Sequence, residues 1–112
     1  MLTKEQYDAM LIERHGQKVF DTLSKAYVGI AGLGGLGSNI AMMLARSGVG
    51  HLLLIDFDIV EPSNLNRQHY VISHLGMSKS EAIKKLILQA NPYIKLDTRC
   101  LKITGENAPE LF

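Results

Sequence analysis

The strongest sequence evidence for the fold is the stretch Tyr27-Val28-Gly29-Ile30-Ala31-Gly32-Leu33-Gly34-Gly35-Leu36-Gly37. Its first five residues form a short apolar run, which is typical of a strand buried on both faces. The pattern G-x-G-x-x-G follows directly, and apolar residues then recur with helical period over residues 38–47. The N-terminus of a helix offers unpaired N–H groups to an anion, and glycines let a phosphate approach the backbone. This stretch therefore predicts a phosphate-binding turn in an α/β domain.

The sequence on either side supplies further helices and strands. Gly16 interrupts an amphipathic pattern near the start of the chain, which predicts two short helices there. Ser78-Lys79-Ser80-Glu81 matches a capping box, in which the Ser78 side chain accepts a hydrogen bond from the Glu81 N–H and the Glu81 carboxylate reaches back. Alternating strands and helices predict a parallel sheet with right-handed crossovers. The predicted elements are two helices within 3–24, strand 27–31, helix 38–47, strand 51–55, an ordered loop over 57–76, a helix from 79 to 90 and strand 94–103.

Composition limits the possible functions. The chain has 112 residues, 46% of them hydrophobic, and a net charge of +1, which together favour one folded domain over a disordered chain. So small a charge gives no electrostatic footprint for nucleic acid or an anionic membrane. No apolar stretch reaches the roughly 20 residues of a membrane helix, and no secretory signal is visible. The single cysteine, Cys100, excludes an internal disulfide. We expect a cytoplasmic protein with Cys100 buried in the third strand as a small apolar residue.

An acidic residue follows the second strand at the position expected for a ribose contact. Asp56 comes 19 residues after Gly37, and a carboxylate there can accept hydrogen bonds from ribose hydroxyls. The following loop carries Asn64, Arg67 and, at the start of the next helix, Lys79. Two cations and an amide beside one glycine turn suit a nucleoside triphosphate that must lose pyrophosphate. A lysine is unfavourable at a helix N-terminus, which indicates that an anion binds there.

Several alternatives stay open at this point. The glycine turn could serve only to pack a helix against a strand, and the same turn and acid would also suit NAD(P). Arg67 could form a surface salt bridge, and Lys79 could be a solvated lysine. The cationic loop favours ATP, because a dehydrogenase usually needs little there beyond its ribose-binding acid.

The motifs Gly32–Gly37, Leu54-Ile55-Asp56-Phe57-Asp58, Ser63-Asn64-Leu65-Asn66-Arg67-Gln68 and Ser78–Ala82 resemble those of the ThiF/MoeB/ubiquitin-activating superfamily. The similarity covers about residues 27–103, and within the superfamily the ThiF-type proteins of thiamine biosynthesis are most similar. It implies a Rossmann-like domain over residues 27–112 after a helical segment over 1–26. It also implies that the chain adenylates the C-terminal carboxylate of a ubiquitin-like sulfur carrier protein, using ATP and Mg²⁺. A relative that activates a small molecule or a modified tRNA base is the alternative.

The resemblance assigns a role to each matching residue. Gly35 and its neighbours would contact the α-phosphate, Asp56 the ribose, and Asp58 the metal or the phosphates. Arg67 and Lys79 would be catalytic, because they stabilise charge as pyrophosphate leaves. Arg14 would reach the ATP of a partner subunit. The full nucleotide-binding set implied is Gly32, Gly34, Gly35, Gly37, Asp56, Asp58, Ser63, Asn64, Leu65, Asn66, Arg67 and Lys79.

Members of the superfamily normally continue for a hundred residues or more past the point where this sequence ends. That missing part supplies a metal-binding aspartate and often a catalytic cysteine and a zinc-binding Cys-x-x-Cys pair. We therefore expect the chain to be the nucleotide-binding half of a larger enzyme, with weak ATP binding and slow turnover on its own. The resemblance also implies a homodimer, and an open sheet edge gives an added reason for self-association.

Overall fold

The molecule is built around a sheet of three parallel strands. The computed structural model describes residues 2–65 and 68–111. The sheet order is β1-β2-β3, and each crossover from one strand to the next contains a helix. This is the predicted α/β architecture, and it is Rossmann-like. The elements are α1 (Lys4–His15), α2 (Gln17–Lys25), β1 (Tyr27–Ala31), α3 (Gly35–Ser47), β2 (His51–Ile55), α4 (Lys79–Ala90), β3 (Lys95–Arg99) and α5 (Ala108–Leu111).

The register places the carboxyl ends of all three strands at one edge of the sheet. Ile55, the last residue of β2, is paired with Ala31 of β1 and with Arg99 of β3. The segments that follow β1 and β2 therefore lie next to each other, which brings the glycine turn next to Asp56.

The core lies between the sheet and two helices on one face. Leu52 and Leu54 of β2 are fully buried and share a cluster with side chains of both α3 and α4. Leu53 and Ile55 alternate to the opposite face, where they are also buried. Burial on both faces explains why β2 is a continuous apolar run without alternation. The helix residues of this core are Ala41, Met42 and Ala45 of α3 and Ala82, Ile83 and Ile87 of α4.

Helix α3 begins earlier than predicted, and the predicted capping box of α4 is only half formed. Helix α3 begins at Gly35, inside the glycine motif, where we expected Ser38. Ser78 caps α4 as predicted and accepts a hydrogen bond from the Glu81 N–H at 3.3 Å. The Glu81 carboxylate does not reach back to complete a capping box, because it instead accepts a hydrogen bond from the Thr98 hydroxyl of β3 at 2.8 Å. Glu81 therefore connects α4 to the sheet.

The third strand is shorter than predicted, and the prediction for Cys100 was wrong. Strand β3 spans Lys95–Arg99, where we expected residues 94–103. It ends at Arg99 because its pairing partner β2 ends at the opposing Ile55. Cys100 lies one residue beyond the last pair and is exposed, so it is not a buried apolar residue.

The loop between β2 and α4 is closed at its base by backbone hydrogen bonds. The N–H of Val60 donates to the carbonyl of Met77 at 2.8 Å, and the N–H of Lys79 donates to the carbonyl of Asp58 at 3.0 Å. The predicted ordered loop is confirmed for its described residues, and it also contains two short 3-10 turns, Pro62–Asn64 and Ile72–His74. Across the described residues, every helix falls short of the length and apolar character needed to cross a membrane.

Candidate nucleotide site

The glycine turn after β1 is held against β2 by two hydrogen bonds. Gly32 has a φ of +89°, a conformation that glycine adopts without strain, and its N–H donates to the carbonyl of Ile55 at 2.8 Å. The N–H of Leu33 donates to Oδ2 of Asp56 at 2.6 Å. The turn and the acid that follows β2 therefore form one unit, as their positions at the same sheet edge require.

Gly34 and Gly37 have different surroundings. A Cβ placed on Gly37 would lie 1.8 Å from the carbonyl oxygen of Gly32, so this glycine is required for the helix to pack closely on the turn. A Cβ placed on Gly34 would meet nothing within 4 Å, so Gly34 faces open space. The motif therefore combines a packing glycine with a glycine that leaves room for a ligand.

Asp56 is buried, with 8% of its surface exposed, and both of its carboxylate oxygens accept backbone hydrogen bonds. Oδ2 accepts from Leu33, and Oδ1 accepts from the N–H of Asp58 at 2.7 Å. A carboxylate oxygen has a second lone pair, so Asp56 retains acceptor capacity toward a ribose. Its structural role in holding the turn was not part of the sequence analysis.

Two adjoining clefts open beside the turn. The first, which we call the turn cleft, has a volume of about 410 Å³. The second, the loop cleft, has a volume of about 340 Å³. Both values fall in the range of small-ligand sites. Among its lining residues the turn cleft has Gly32, Gly34, Asp56, Asp58, Lys79 and Leu101, and the loop cleft has Phe57, Asp58, Ile59, Glu61, Asn64 and Lys79.

Lys79 lies where the two clefts meet. It is the first residue of α4, its side chain is only 9% exposed, and its Nζ lies 3.9 Å from Oδ2 of Asp58. That distance is at the limit of an ion pair, and the Asp58 side chain is 53% exposed, so its charge is partly screened by water. A buried ammonium at the positive end of a helix dipole is unfavourable unless an anion binds nearby.

Of the described loop residues in the predicted nucleotide-binding set, Asn64 lines the loop cleft. Asn64 is buried and lines this cleft, and its Oδ1 accepts a hydrogen bond from the N–H of Glu61 at 2.8 Å. Its neighbours Ser63 and Leu65 line neither cleft. Ser63 is exposed to solvent, and Leu65 packs against the core. Asn66 and Arg67 lie outside the described residues.

Arg14 is placed at the opposite end of the molecule. It lies near the end of α1 and lines a cleft of about 640 Å³ together with Arg46 and Ala90. Arg46 and Ala90 lie at the ends of α3 and α4, which run back from the carboxyl edge of the sheet to its amino edge. Within one chain, Arg14 is therefore not part of the site around Lys79.

Tyr70 supports the glycine turn from outside the two clefts, and it was not among the residues predicted from the sequence. Its hydroxyl donates to the carbonyl of Leu33 at 2.5 Å, and only 2% of the residue is exposed. Burial, and the negative charge of Asp56, raise the pKa of Tyr70 well above its ordinary value of 10. No local sequence signal identified it, because the loop also contains apolar residues on either side of Tyr70, such as Leu65 and Val71.

A metal site built from protein ligands alone is not found in the part of the chain that the structure describes. Residues 2–65 and 68–111 contain no group of three or more His, Cys, Asp or Glu side chains arranged to hold a metal ion. Asp58 is the partly exposed carboxylate that lines both clefts, so it could contribute one oxygen ligand to a magnesium ion carried by phosphates.

The parallel sheet, the glycine turn and the acid after β2 place the chain in the class of Rossmann-like α/β domains. The chain belongs to the ThiF family, whose family model matches residues 6–112. This agrees with the resemblance carried by the motifs of the glycine turn and the loop.

Curated relatives of the chain include ubiquitin-like modifier-activating enzymes 5. The protein of this name from Culex quinquefasciatus is 38% identical over 104 residues, which is 92% of this chain and 26% of that protein. The protein from Arabidopsis thaliana is 37% identical over 93 residues, or 83% of this chain and 22% of that protein. The chain thus spans about a quarter of the length of these relatives.

Solved structures include two similar E. coli proteins. The tRNA N6-threonylcarbamoyladenosine dehydratase TcdA, in complex with ATP, superimposes with a TM-score of 0.89 at 29% identity. That similarity covers 98% of this chain and 46% of the dehydratase chain. A structure of MccB with ATP superimposes with a TM-score of 0.75 at 39% identity, covering 77% of this chain and 26% of MccB.

Proposed function

We propose that this chain binds ATP in the turn and loop clefts and takes part in adenylating the C-terminal carboxylate of a ubiquitin-like protein. The observation that carries the proposal is the position of Lys79, a buried cation at a helix N-terminus between two clefts. An anionic ligand there would compensate a charge that the fold otherwise leaves poorly neutralised. The ATP in the crystal structures of TcdA and MccB supports the choice of nucleotide.

The proposed chemistry needs positioning and positive charge. An oxygen of the acceptor carboxylate forms a bond to the α-phosphorus, and the bond from that phosphorus to the oxygen of the leaving pyrophosphate breaks. Negative charge grows on the non-bridging and leaving oxygens, where the Lys79 ammonium and the N–H groups at the start of α3 would stabilise it. The attacking carboxylate is already ionised, so the reaction requires no general base.

The remaining site residues would have supporting roles. Asp56 would accept hydrogen bonds from the ribose, and Asn64 would donate its amide to phosphate oxygens. Arg67, chosen on its sequence motif, would hold two phosphate oxygens at once. A magnesium ion bound to the phosphates and to Asp58 would neutralise part of their charge.

The acceptor that we favour is a ubiquitin-like sulfur carrier of the thiamine-biosynthesis type. The names of the ubiquitin-like modifier-activating enzymes 5 support a protein acceptor of the ubiquitin type. A modified tRNA base or a small molecule is the second candidate, and the extensive structural similarity to the tRNA dehydratase favours it. Carrier-dependent exchange of labelled pyrophosphate into ATP would support the first acceptor, whereas exchange stimulated only by tRNA would support the second.

Nucleotide binding is tested by calorimetry with ATP and Mg²⁺ and, separately, with NADH. We expect the chain to bind ATP and not NADH. Lys79→Met should weaken ATP binding by about tenfold or more, because it removes a charge-assisted contact to phosphate. Thermal stability should be unchanged or slightly higher, since the variant removes a buried charge. Arg67→Ala should also weaken ATP binding.

The matched control is Lys85→Met, which removes an exposed lysine from the same helix. Its ATP affinity should equal that of the wild type. Equal affinities for Lys79→Met and the wild type would overturn the phosphate-binding role of Lys79. Binding of NADH in preference to ATP would overturn the proposed function.

We further propose that the chain forms a homodimer through the outer face of α3. No charged residue occurs between Gly35 and Ala45. The outward side chains Leu36, Ile40 and Met43 are 76%, 40% and 66% exposed, respectively. A helix that is apolar on its outer face as well as its inner face is normally covered by a partner.

A further inference from the structure

The peptide units on either side of Leu33 are fixed by two side chains from different parts of the chain. Its N–H donates to Asp56 at 2.6 Å, and its carbonyl accepts from the Tyr70 hydroxyl at 2.5 Å. Leu33 itself is fully buried. The backbone that leads into Gly34 therefore has little freedom to rotate.

The position of the Tyr70 hydroxyl is set by the core. The ring belongs to the main hydrophobic cluster, and it meets the His74 ring edge-on with centroids 6.3 Å apart. His74 is itself buried and accepts a hydrogen bond from the N–H of Val71 at 3.0 Å on its Nδ1. With the ring held in this way, the hydroxyl can act as a fixed donor.

We propose that Tyr70 is a positioning residue, which fixes the Leu33–Gly34 peptide plane so that the Gly34 N–H is presented to nucleotide phosphate. In a trans peptide the N–H points opposite to the carbonyl of the same plane. The Leu33 carbonyl points to Tyr70, so the Gly34 N–H points away from Tyr70. Gly34 lines the turn cleft and faces open space, whereas Tyr70 does not line that cleft.

Tyr70 also connects the glycine turn to the loop that carries Asn64. The N–H of Gln68 donates to the carbonyl of Asn64 at 3.1 Å, and Tyr70 follows Gln68 by two residues along the chain. Tyr70 therefore holds the loop side of the site and the turn side of the site in a fixed relation. The inference rests on the proposed function, because it assumes that phosphate binds at the turn.

Calorimetry on the full chain with ATP, AMP and adenosine tests the inference. Tyr70→Phe removes the hydroxyl and retains the ring. We expect ATP and AMP to bind about fivefold more weakly, because one preorganised hydrogen-bond donor is no longer oriented. Adenosine, which lacks phosphate, should bind within about twofold of its wild-type affinity. A general structural defect would weaken all three ligands equally and would overturn the inference.

Tyr93→Phe is the matched control. The Tyr93 hydroxyl also donates to a backbone carbonyl, that of Leu2, and neither residue lines the turn or loop cleft. This variant should bind all three ligands like the wild type. Equal ATP affinity for Tyr70→Phe and wild type would overturn the inference alone, whereas a wild-type chain that does not bind ATP would overturn the proposed function with it.

A measurement on the wild type needs no variant and applies even if Tyr70→Phe does not fold. The Gly34 amide resonance in a ¹H–¹⁵N spectrum should shift when ATP or AMP is added and should change little with adenosine. If ATP shifts other amides of the turn and leaves Gly34 unchanged, the inference is overturned.

Discussion

Gly34 and Gly37 show how one residue type serves two physical purposes within four positions. Gly37 is needed because the Gly32 carbonyl oxygen occupies the place of its Cβ, at a distance of 1.8 Å. Gly34 has an ordinary negative φ of −74° and open space around it, so neither packing nor a positive φ requires a glycine at this position. Under the proposed function, its small size would let a phosphate approach the backbone.

Alanine substitutions should separate these two purposes. Gly37→Ala should lower the free energy of unfolding by roughly 3 kcal/mol or more, because a methyl group cannot fit against the carbonyl without moving the helix. Gly34→Ala should change stability by less than about 1 kcal/mol. It should nevertheless weaken ATP binding by about tenfold, since the added methyl group would occupy ligand space. Urea unfolding and calorimetry measure the two effects. A Gly34→Ala variant with wild-type ATP affinity would indicate that the motif serves packing only.

His74 should make the protein less stable in acid. Burial lowers its pKa below the ordinary value of 6.5, and the nearby charge of Lys85 lowers the pKa further. The unfolded chain therefore binds a proton at a higher pH than the folded chain does. The contribution of neutral His74 to the free energy of unfolding is therefore complete above pH 6.5 and is lost as the pH falls through the folded-state pKa. Protonation also removes the Nδ1 acceptor that the N–H of Val71 uses.

Melting temperatures from pH 8 to pH 4.5 check this expectation. His74→Asn keeps a side-chain acceptor and removes the titrating group, so its stability should fall less steeply below pH 6.5. His69→Asn removes an exposed histidine from the same loop and should leave the wild-type slope unchanged. Identical slopes for His74→Asn and wild type would show that His74 does not govern the acid response.

At the scale of elements, the start of α4 matters most. The capping serine fixes where this helix begins, and the bond from the Lys79 N–H to the Asp58 carbonyl fixes where its first residue lies. Glu81 then joins the helix to β3 through Thr98. Together these contacts bring the N-terminus of α4 to the clefts beside the glycine turn. The N-terminus of α3 lies at the same edge of the sheet, so two helix dipoles favour an anion there.

In the molecule as a whole, the inner face of α3 packs on the core and its apolar outer face stays exposed. Sedimentation velocity at micromolar concentration should detect a dimer in the wild type. Met43→Lys should shift the chain toward monomer, because a charge buried in an apolar interface is costly. Met10→Lys, at an exposed methionine of α1, is the matched control and should remain dimeric. A monomeric wild type, or a Met43→Lys variant that stays dimeric, would contradict an interface on α3.

The class of fold, and the sheet edge at which the candidate site lies, could be predicted from the amino-acid sequence. The continuous apolar run of β2 and a glycine motif followed by Asp56 can be recognised without coordinates, because both depend on short stretches of chain. The same signature was wrong for β1, which was predicted to be buried on both faces, because its place at the edge of the sheet leaves Tyr27 and Ala31 exposed. The end of β3 and the exposure of Cys100 could not be predicted from the sequence. Both depend on where the pairing with β2 stops, which is at Ile55 and Arg99. By contrast, the hydrogen bonds from the peptide N–H of Leu33 to Asp56 and from Tyr70 to the Leu33 carbonyl are visible only in the folded chain. That arrangement joins residues 37 and 23 positions away in the chain, and no local pattern encodes a contact over such a separation.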